Sequence, residues 1–260
     1  VMCIRDSGDA LLTLCPSRAY IQRLRAHGFQ GDLRLWPRGV DAERFNPAHR
    51  AVATRGELAP GADCILVFVG RIAPEKRVDL LVEAFEKIKR ATKRTVNLVV
   101  VGTGPSLSRL RARAPAGVSF TGYLEGAELS RAYAAADIFL FPSDTETFGN
   151  VVLEAMASGL PPIVADRGGV TEVVTHDTNG LIARSGSAKS FATHALQLLH
   201  DEPRRQRLAS RARQDALARR WTPLLDGVLD YYEQARDSTI ATQRGIATSK
   251  APFSSPKKSR

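Results

Sequence analysis

The chain has 260 residues, of which 43% are hydrophobic and 25% charged, an ordinary balance for a globular protein with one good core and part of a second. No apolar run approaches the roughly 20 residues that cross a bilayer, and no basic-then-apolar leader opens the sequence, so the expected location is cytoplasmic. The net charge of +10 admits nucleic acid, anionic lipid or an anionic small ligand, while three isolated cysteines (Cys3, Cys15, Cys64) argue against a disulfide framework and a zinc site.

Residues 1–7 fit no element that follows and are set aside as a doubtful, non-native segment. A short strand is expected at 10–14, then a helix capped by Ser17 that runs to about Ala26 and stops at Gly28, then a strand at 33–36. Residues 8–47 thus read as the remnant of an N-terminal domain, without a sheet of its own. Residues 48–62 are polar or small, with Pro60-Gly61, and read as a linker.

From there the pattern becomes regular. Residues 65–69 form a continuous apolar run ending at Gly70, as a strand buried on both faces requires. Val78, Leu81, Val82, Phe85 and Ile88 share one helix face. Further strands are predicted at 97–101, 118–121, 138–141, 162–165 and 180–183. Helices are predicted at 105–112, 127–135, 150–157, 188–199, 203–217 and 224–235. Alternating strands and helices predict an α/β fold, a Rossmann-like parallel sheet with helices on both faces and right-handed crossovers. Its ligand should sit beyond the carboxyl ends of the strands. Residues 237–260 are rich in Ser, Thr, Lys and Pro and read as a disordered basic tail.

Two loops at that edge carry chemistry. In the first, Gly70 lets the chain turn, Pro74 suits a first helical turn, and Arg71 and Lys76 offer a planar fork and a point charge, a pair fit for a diphosphate. Two solvated surface charges would look the same from sequence; the position at a strand end favours the ligand reading. The second loop runs from Pro142 into the helix at 150–157. Thr147, Phe148, Gly149 and Asn150 would aim backbone amides at an anion. Glu146 and Glu154 flank that anion site, which makes sense if they accept hydrogen bonds from hydroxyls. Glu154 sits between apolar Leu153 and Met156, and a buried carboxylate needs a partner. Gly102-Thr103-Gly104 invites a dinucleotide reading that fails, because Leu107 stands where the third glycine should be. Gly168-Gly169, before Val170 and Glu172, reads equally as a second phosphate loop or a simple turn.

Gly70-Arg71 with Glu75-Lys76, then Glu146 and Glu154 in an E-x7-E arrangement within E-T-F-G-N-V-V-L-E-A-M-A-S-G-L-P, resembles family four of the retaining glycosyltransferases. The segment from Pro37 through Arg38, Gly39, Val40 and Asp41 to Phe45 resembles that family's interdomain segment. The resemblance covers roughly residues 17–235. It implies the GT-B fold, two Rossmann-like domains facing across a cleft, of which residues 63–221 would be the nucleotide-sugar donor domain and 222–236 the helix that crosses back. Arg71 and Lys76 would hold the donor diphosphate, and Glu146 would contact hydroxyls of the transferred sugar. Glu154 would bind the ribose, while Gly70, Phe148, Gly149 and Asn150 would approach the phosphates and sugar. Gly122 and Tyr123 would lie against the nucleobase. The implied reaction retains anomeric configuration and needs no metal or other cofactor. The donor would be GDP-mannose or a UDP-sugar, and the acceptor a lipid or glycan.

Most of the N-terminal domain is missing from this pattern, so the expectation is donor binding without efficient turnover. Pro161-Pro162 replaces the family's more usual single proline, which a strand start tolerates. The rival readings are a non-catalytic nucleotide-sugar-binding subunit and another enzyme on the same fold, such as a sugar-nucleotide epimerase or a phosphorylase. Nucleic acid is disfavoured, because the tail lacks interleaved aromatics. Weak peripheral contact with an anionic membrane surface stays open.

Overall fold

The computed structural model describes residues 12–248, and among them helices alternate with parallel strands. A small unit comes first: β1 (Thr13–Cys15), α1 (Arg18–Ala26) and β2 (Leu33–Leu35). Ser17 caps α1 by accepting from the Tyr20 amide at 3.1 Å, as its residue type suggested. The expectation that this remnant lacks a sheet is corrected: β1 and β2 pair in parallel, Thr13 opposite Leu33.

The main unit follows. Its elements are α2 (Val52–Leu58), β3 (Cys64–Val69), α3 (Val78–Ala91), β4 (Val96–Val101), α4 (Leu107–Arg111), β5 (Val118–Gly122) and α5 (Gly126–Ala135). They continue with β6 (Ile138–Phe141), α6 (Asn150–Ala157), β7 (Pro162–Ala165), β8 (Leu181–Ala183), α7 (Ala188–His200), α8 (Glu202–Leu217) and α9 (Trp221–Thr248). Six strands form one parallel sheet in the order β5-β4-β3-β6-β7-β8. Every residue of β3 and β6 is buried, which is why both read as unbroken apolar runs. Phe68 and Phe141 stack at 6.1 Å across that central pair. Pro162 opens β7, where its missing N–H removes no ladder bond inside the strand.

The strand order reverses between β3 and β6. Chain connections run outward on both sides of that line, which leaves a crevice at the carboxyl ends of these two strands. The loops that follow β3 and β6 are the two that carry Arg71, Lys76 and Glu146.

Two boundaries differ from the sequence reading. The expected linker at 48–62 contains a 3₁₀ turn (Pro47–His49) and α2. Arg50 and Arg55 anchor it: their guanidinium groups donate to the Ala134, Ala135 and Ala136 carbonyls at the end of α5 and pair with Asp137 at 2.7 and 2.8 Å. Cations at a helix C-terminus satisfy its orphan carbonyls, an interaction between segments about 85 residues apart that local composition does not announce. The expected disordered tail is helical as far as Thr248: 237–248 contains no proline to stop α9, although Ser, Thr, Ile and Gly give it weak intrinsic helix propensity. The remainder of that tail, and the segment 1–7, lie outside the described residues. α9 packs beside the small sheet, with the Tyr231 hydroxyl donating to the Leu35 carbonyl at 3.3 Å, and leaves Leu225, Leu229 and Tyr232 exposed. Among the described residues no helix is long and apolar enough to cross a membrane.

Candidate functional site

A cleft of about 310 Å³ opens at the crevice between β3 and β6. Gly70, Arg71 and Lys76 line it from the β3 loop, and Phe141 with Glu146 through Val151 line it from the β6 loop and the start of α6. Pro16 and Arg38 complete it from the small unit.

The β3 loop is shaped by its own sequence. Pro74 starts a 3₁₀ turn ending at Lys76, and Arg77 then adopts a left-handed conformation at φ 52° before α3 begins. This break swings Lys76 toward the β6 loop. Its ammonium donates to Glu146 Oε2 and stands over the Phe141 ring at 5.6 Å. Both side chains of the pair are 20% exposed, so the pair is largely removed from water yet reachable by a ligand. Among the described residues Arg71 pairs with Glu75 alone, at 3.7 Å on an exposed surface, a weak pair that the guanidinium can leave for an anion. Ser143 Oγ donates to the Glu75 carbonyl at 3.4 Å and so joins the two loops.

Gly149 caps α6 at φ 90°, and a Cβ there would stand 2.7 Å from Val170 Cγ1, so the position tolerates only glycine. Phe148 is buried and holds the loop down, while Asn150 faces solvent as the first helical residue. The first-turn amides of α6 therefore open on the cleft beside Lys76.

The two glycine pairs set aside earlier prove to be buttresses. A Cβ on Gly102 would lie 2.0 Å from the Gly70 carbonyl oxygen, and one on Gly104 2.4 Å from that of Ile72. A Cβ on Gly169 would lie 2.1 Å from the Thr147 carbonyl oxygen, and the Gly169 amide donates to the Glu146 carbonyl at 2.8 Å. Gly168-Gly169 is thus no second phosphate loop: it opens a 3₁₀ turn (Gly169–Glu172) packed under the β6 loop, and it does not line the cleft.

Glu154 also stands outside the cleft lining, one layer behind it. The Tyr133 hydroxyl donates to Glu154 Oε2 at 2.9 Å and lies 3.3 Å from the Val151 carbonyl; its single proton serves the closer carboxylate. Burial raises the Glu154 carboxyl above its usual range, while the Tyr133 hydrogen bond and the Arg44 charge pull it back. Tyr133 is fully buried, and burial first, then the Glu154 charge, holds its hydroxyl well above the usual value. Gly122 and Tyr123 close β5, two strands from the crevice, roughly 10 Å away in the plane of the sheet. They do not line the cleft; Tyr123 is 69% exposed.

Four contributors escaped the sequence reading. Pro16 and Arg38 reach the cleft from the small unit, and Tyr133 fixes Glu154. Glu172 ties the two units together: its carboxylate accepts the Arg18 and Ala19 amides at the start of α1, at 3.0 and 2.7 Å. Beside it, Ser17 Oγ donates to the Thr147 carbonyl at 2.6 Å. Only the Ser17 capping signal was visible in the sequence.

Among solved structures, that of HepE from Anabaena in complex with UDP and glucose is 20% identical, with a TM-score of 0.78 over 88% of this chain and 66% of that one. The C-terminal domain of a group 1 glycosyl transferase from Francisella tularensis is 24% identical, with a TM-score of 0.62 over 69% of this chain and 97% of that one. These likenesses establish the fold, the GT-B arrangement expected from the motifs. A GDP-mannose-dependent alpha-mannosyltransferase of Mycobacterium tuberculosis (strain CDC 1551 / Oshkosh) is 40% identical over 225 residues, which are 86% of this chain and 57% of that protein. The sulfoquinovosyl transferase SQD2 of Arabidopsis thaliana is 38% identical over 220 residues, which are 81% of this chain and 42% of that protein. The chain thus spans about half the length of the curated relatives it matches. The family model described as "Glycosyl transferases group 1" matches residues 53–215, beginning inside α2, in the stretch first read as a linker. The chain belongs to the group 1 glycosyl transferase family.

Proposed function

We propose that this chain forms the donor-binding half of a retaining glycosyltransferase, which moves a hexose from a nucleoside-diphosphate sugar to a lipid or glycan acceptor. Mannose carried by GDP is the finer reading, favoured by relatives whose names specify GDP-mannose. The observation that carries the proposal is the Lys76–Glu146 pair, flanked by Arg71 and facing the α6 N-terminus at the strand-order reversal.

A diphosphate seated there meets a guanidinium, an ammonium and backbone amides. These groups neutralise the charge that grows on the leaving diphosphate as the bond to the anomeric carbon breaks. In this reading they do so without a divalent cation. Glu146, drawn off Lys76 by the phosphate, accepts hydroxyls of the sugar. This reading carries the ribose and nucleobase past the lined cleft, the ribose toward Glu154 in α6 and the base toward Gly122 and Tyr123 at the end of β5. The acceptor oxygen bonds the anomeric carbon on the face the diphosphate leaves, and the acceptor proton passes to a donor phosphate oxygen, which retains configuration. A nucleotide-binding subunit without turnover would use the same cleft, so activity needs its own test.

Calorimetric titration with GDP, UDP, GDP-mannose and UDP-glucose tests donor binding. Saturable binding of one nucleotide series, lost in Lys76→Ala, is expected; no binding of any of them to folded protein overturns the donor reading. Turnover is tested with the chain extended to the length of its relatives.

A further inference from the structure

Arg38 lies in the segment that leads from β2 toward the main unit, and this segment is unusually well fixed. The Trp36 amide donates to the Cys15 carbonyl at 2.8 Å, and Trp36 Nε1 donates to the Leu224 carbonyl at 3.1 Å. The Trp36 ring tilts against Trp221 with centroids 6.5 Å apart. Four residues past Trp36, the Val40 amide donates to the Arg219 carbonyl at 3.0 Å. Gly39 lies so close to Trp221 that a Cβ would stand 2.9 Å from its ring. The Arg38 guanidinium is stacked over the Trp36 ring at 5.0 Å and is half-buried. Its position follows from the frame around it.

The cleft that Arg38 lines already holds two cations, each with a carboxylate partner. Arg71 has Glu75 and Lys76 has Glu146. Arg38 has no carboxylate within ion-pair distance among the described residues. Arg38 therefore adds a positive charge without a carboxylate partner to a cleft that already holds two cations. Stacking on an indole offsets part of it. A bound anion removes the rest, and the planar fork matches a phosphate edge.

We propose that Arg38 is a third phosphate-binding cation of the donor site, reaching the diphosphate from the wall contributed by the small unit. The proposal rests on the donor reading above. It goes further, because it gives the small unit a direct charge contact with the nucleotide and thereby makes the seating of that unit sensitive to whether donor is bound.

The test titrates the full 260-residue chain and its Arg38→Met, Arg38→Lys and Lys76→Met variants with nucleoside diphosphate, monophosphate and nucleoside of the preferred base, with thermal unfolding of each. Arg38→Met keeps a stem that can lie on Trp36 and removes the charge. The proposal expects Arg38→Met to weaken diphosphate binding at least about ten-fold, as the loss of a charge-assisted hydrogen bond does. Nucleoside affinity and melting temperature should stay near those of the parent, and Arg38→Lys should recover part of the loss. If Lys76→Met abolishes diphosphate binding while Arg38→Met leaves it unchanged, the donor reading stands and this inference falls. If Arg38→Met weakens diphosphate and nucleoside alike, together with the melting temperature, Arg38 is only a structural strut and the inference falls. If the parent chain binds no nucleotide, both fall together.

Discussion

The β6 loop is held from beneath by Gly169, and the tightness of that contact gives a quantitative test of whether loop position governs the site. A Cβ at residue 169 would lie 2.1 Å from the Thr147 carbonyl oxygen and 2.9 Å from Phe148 Cα. Ordinary contact at such an atom needs about 3.4 Å, so in Gly169→Ala the Thr147 carbonyl must retreat by about 1.3 Å, or the 3₁₀ turn must move down by as much. Neither is easy, because the Gly169 amide is bonded to the Glu146 carbonyl at 2.8 Å and Ser17 holds Thr147 from the other side at 2.6 Å. Overpacking of this kind costs about 1–3 kcal/mol of stability. A shift near 1 Å in a residue next to Glu146 should weaken nucleoside-diphosphate binding about ten-fold, as the loss of one charge-assisted hydrogen bond does. Gly227→Ala is the control: this glycine sits in α9 with nothing within 4 Å of its Cβ position, and alanine there should raise stability by about 0.5–1 kcal/mol without touching binding. Thermal unfolding and calorimetry of the two variants suffice. Parent-like affinity in a folded Gly169→Ala protein would refute the claim that the buttress sets the site.

Replacing Lys76 by methionine strips Glu146 of its partner; diphosphate affinity should fall at least about ten-fold by calorimetry, and Glu146→Gln in the same background should restore stability but not binding. Because burial raises the Glu154 carboxyl above its ordinary 4.5, the fold holds this proton more tightly than the unfolded chain, so Glu154 costs stability increasingly as pH rises above 4.5. Glu154→Gln should therefore gain on the parent in melting temperature from pH 4 to pH 8, whereas Tyr133→Phe, which removes the bond favouring the charged form, should fall further behind; parallel curves would contradict this. Glu172→Ala leaves the Arg18 and Ala19 amides without their carboxylate and should cost about 0.5–2 kcal/mol, with faster hydrogen exchange at the start of α1 and in the β6 loop that Ser17 joins to it.

The sequence disclosed what depends on neighbours along the chain. β3 and β6 were legible because strands buried on both faces need apolar residues at every position, and α3 because its buried face repeats with the helical period. Arg71, Lys76 and Glu146 were legible because each follows a strand end, and the strand-order reversal brings those ends side by side. Features that depend on distant partners stayed hidden. Arg38 owes its place to Trp36 meeting Trp221, Glu172 meets a helix more than 150 residues earlier, and Tyr133 reaches Glu154 from another helix. Gly168-Gly169 illustrates the ambiguity directly: a glycine pair after a strand suits a phosphate or a close-packed backbone equally, and only the neighbouring Thr147 carbonyl decides for the second.

These contacts make one physical unit of what the sequence presents as two. Thr147 lies between Glu146, the partner of Lys76, and Phe148, which seats the α6 N-terminus. The same residue receives the Ser17 hydroxyl from α1, and the turn beneath it ends in Glu172, which receives two α1 amides and whose carbonyl accepts from Arg219 at 3.2 Å. Arg219 in turn offers its carbonyl to Val40, the residue that fixes the frame around Arg38. The small unit therefore cannot shift against the main sheet without disturbing either the loop that holds Glu146 or the segment that holds Arg38. Each bond in this circuit contributes only about 0.5–3 kcal/mol, so the seating can yield, yet the bonds meet on one loop and yield together. If the cleft takes a diphosphate as proposed, its pull on Lys76 and the α6 amides acts on that same loop. Donor binding and the seating of the small unit then become two readouts of one equilibrium, and a ligand that favours the seated form should be bound less tightly by any variant that loosens α1.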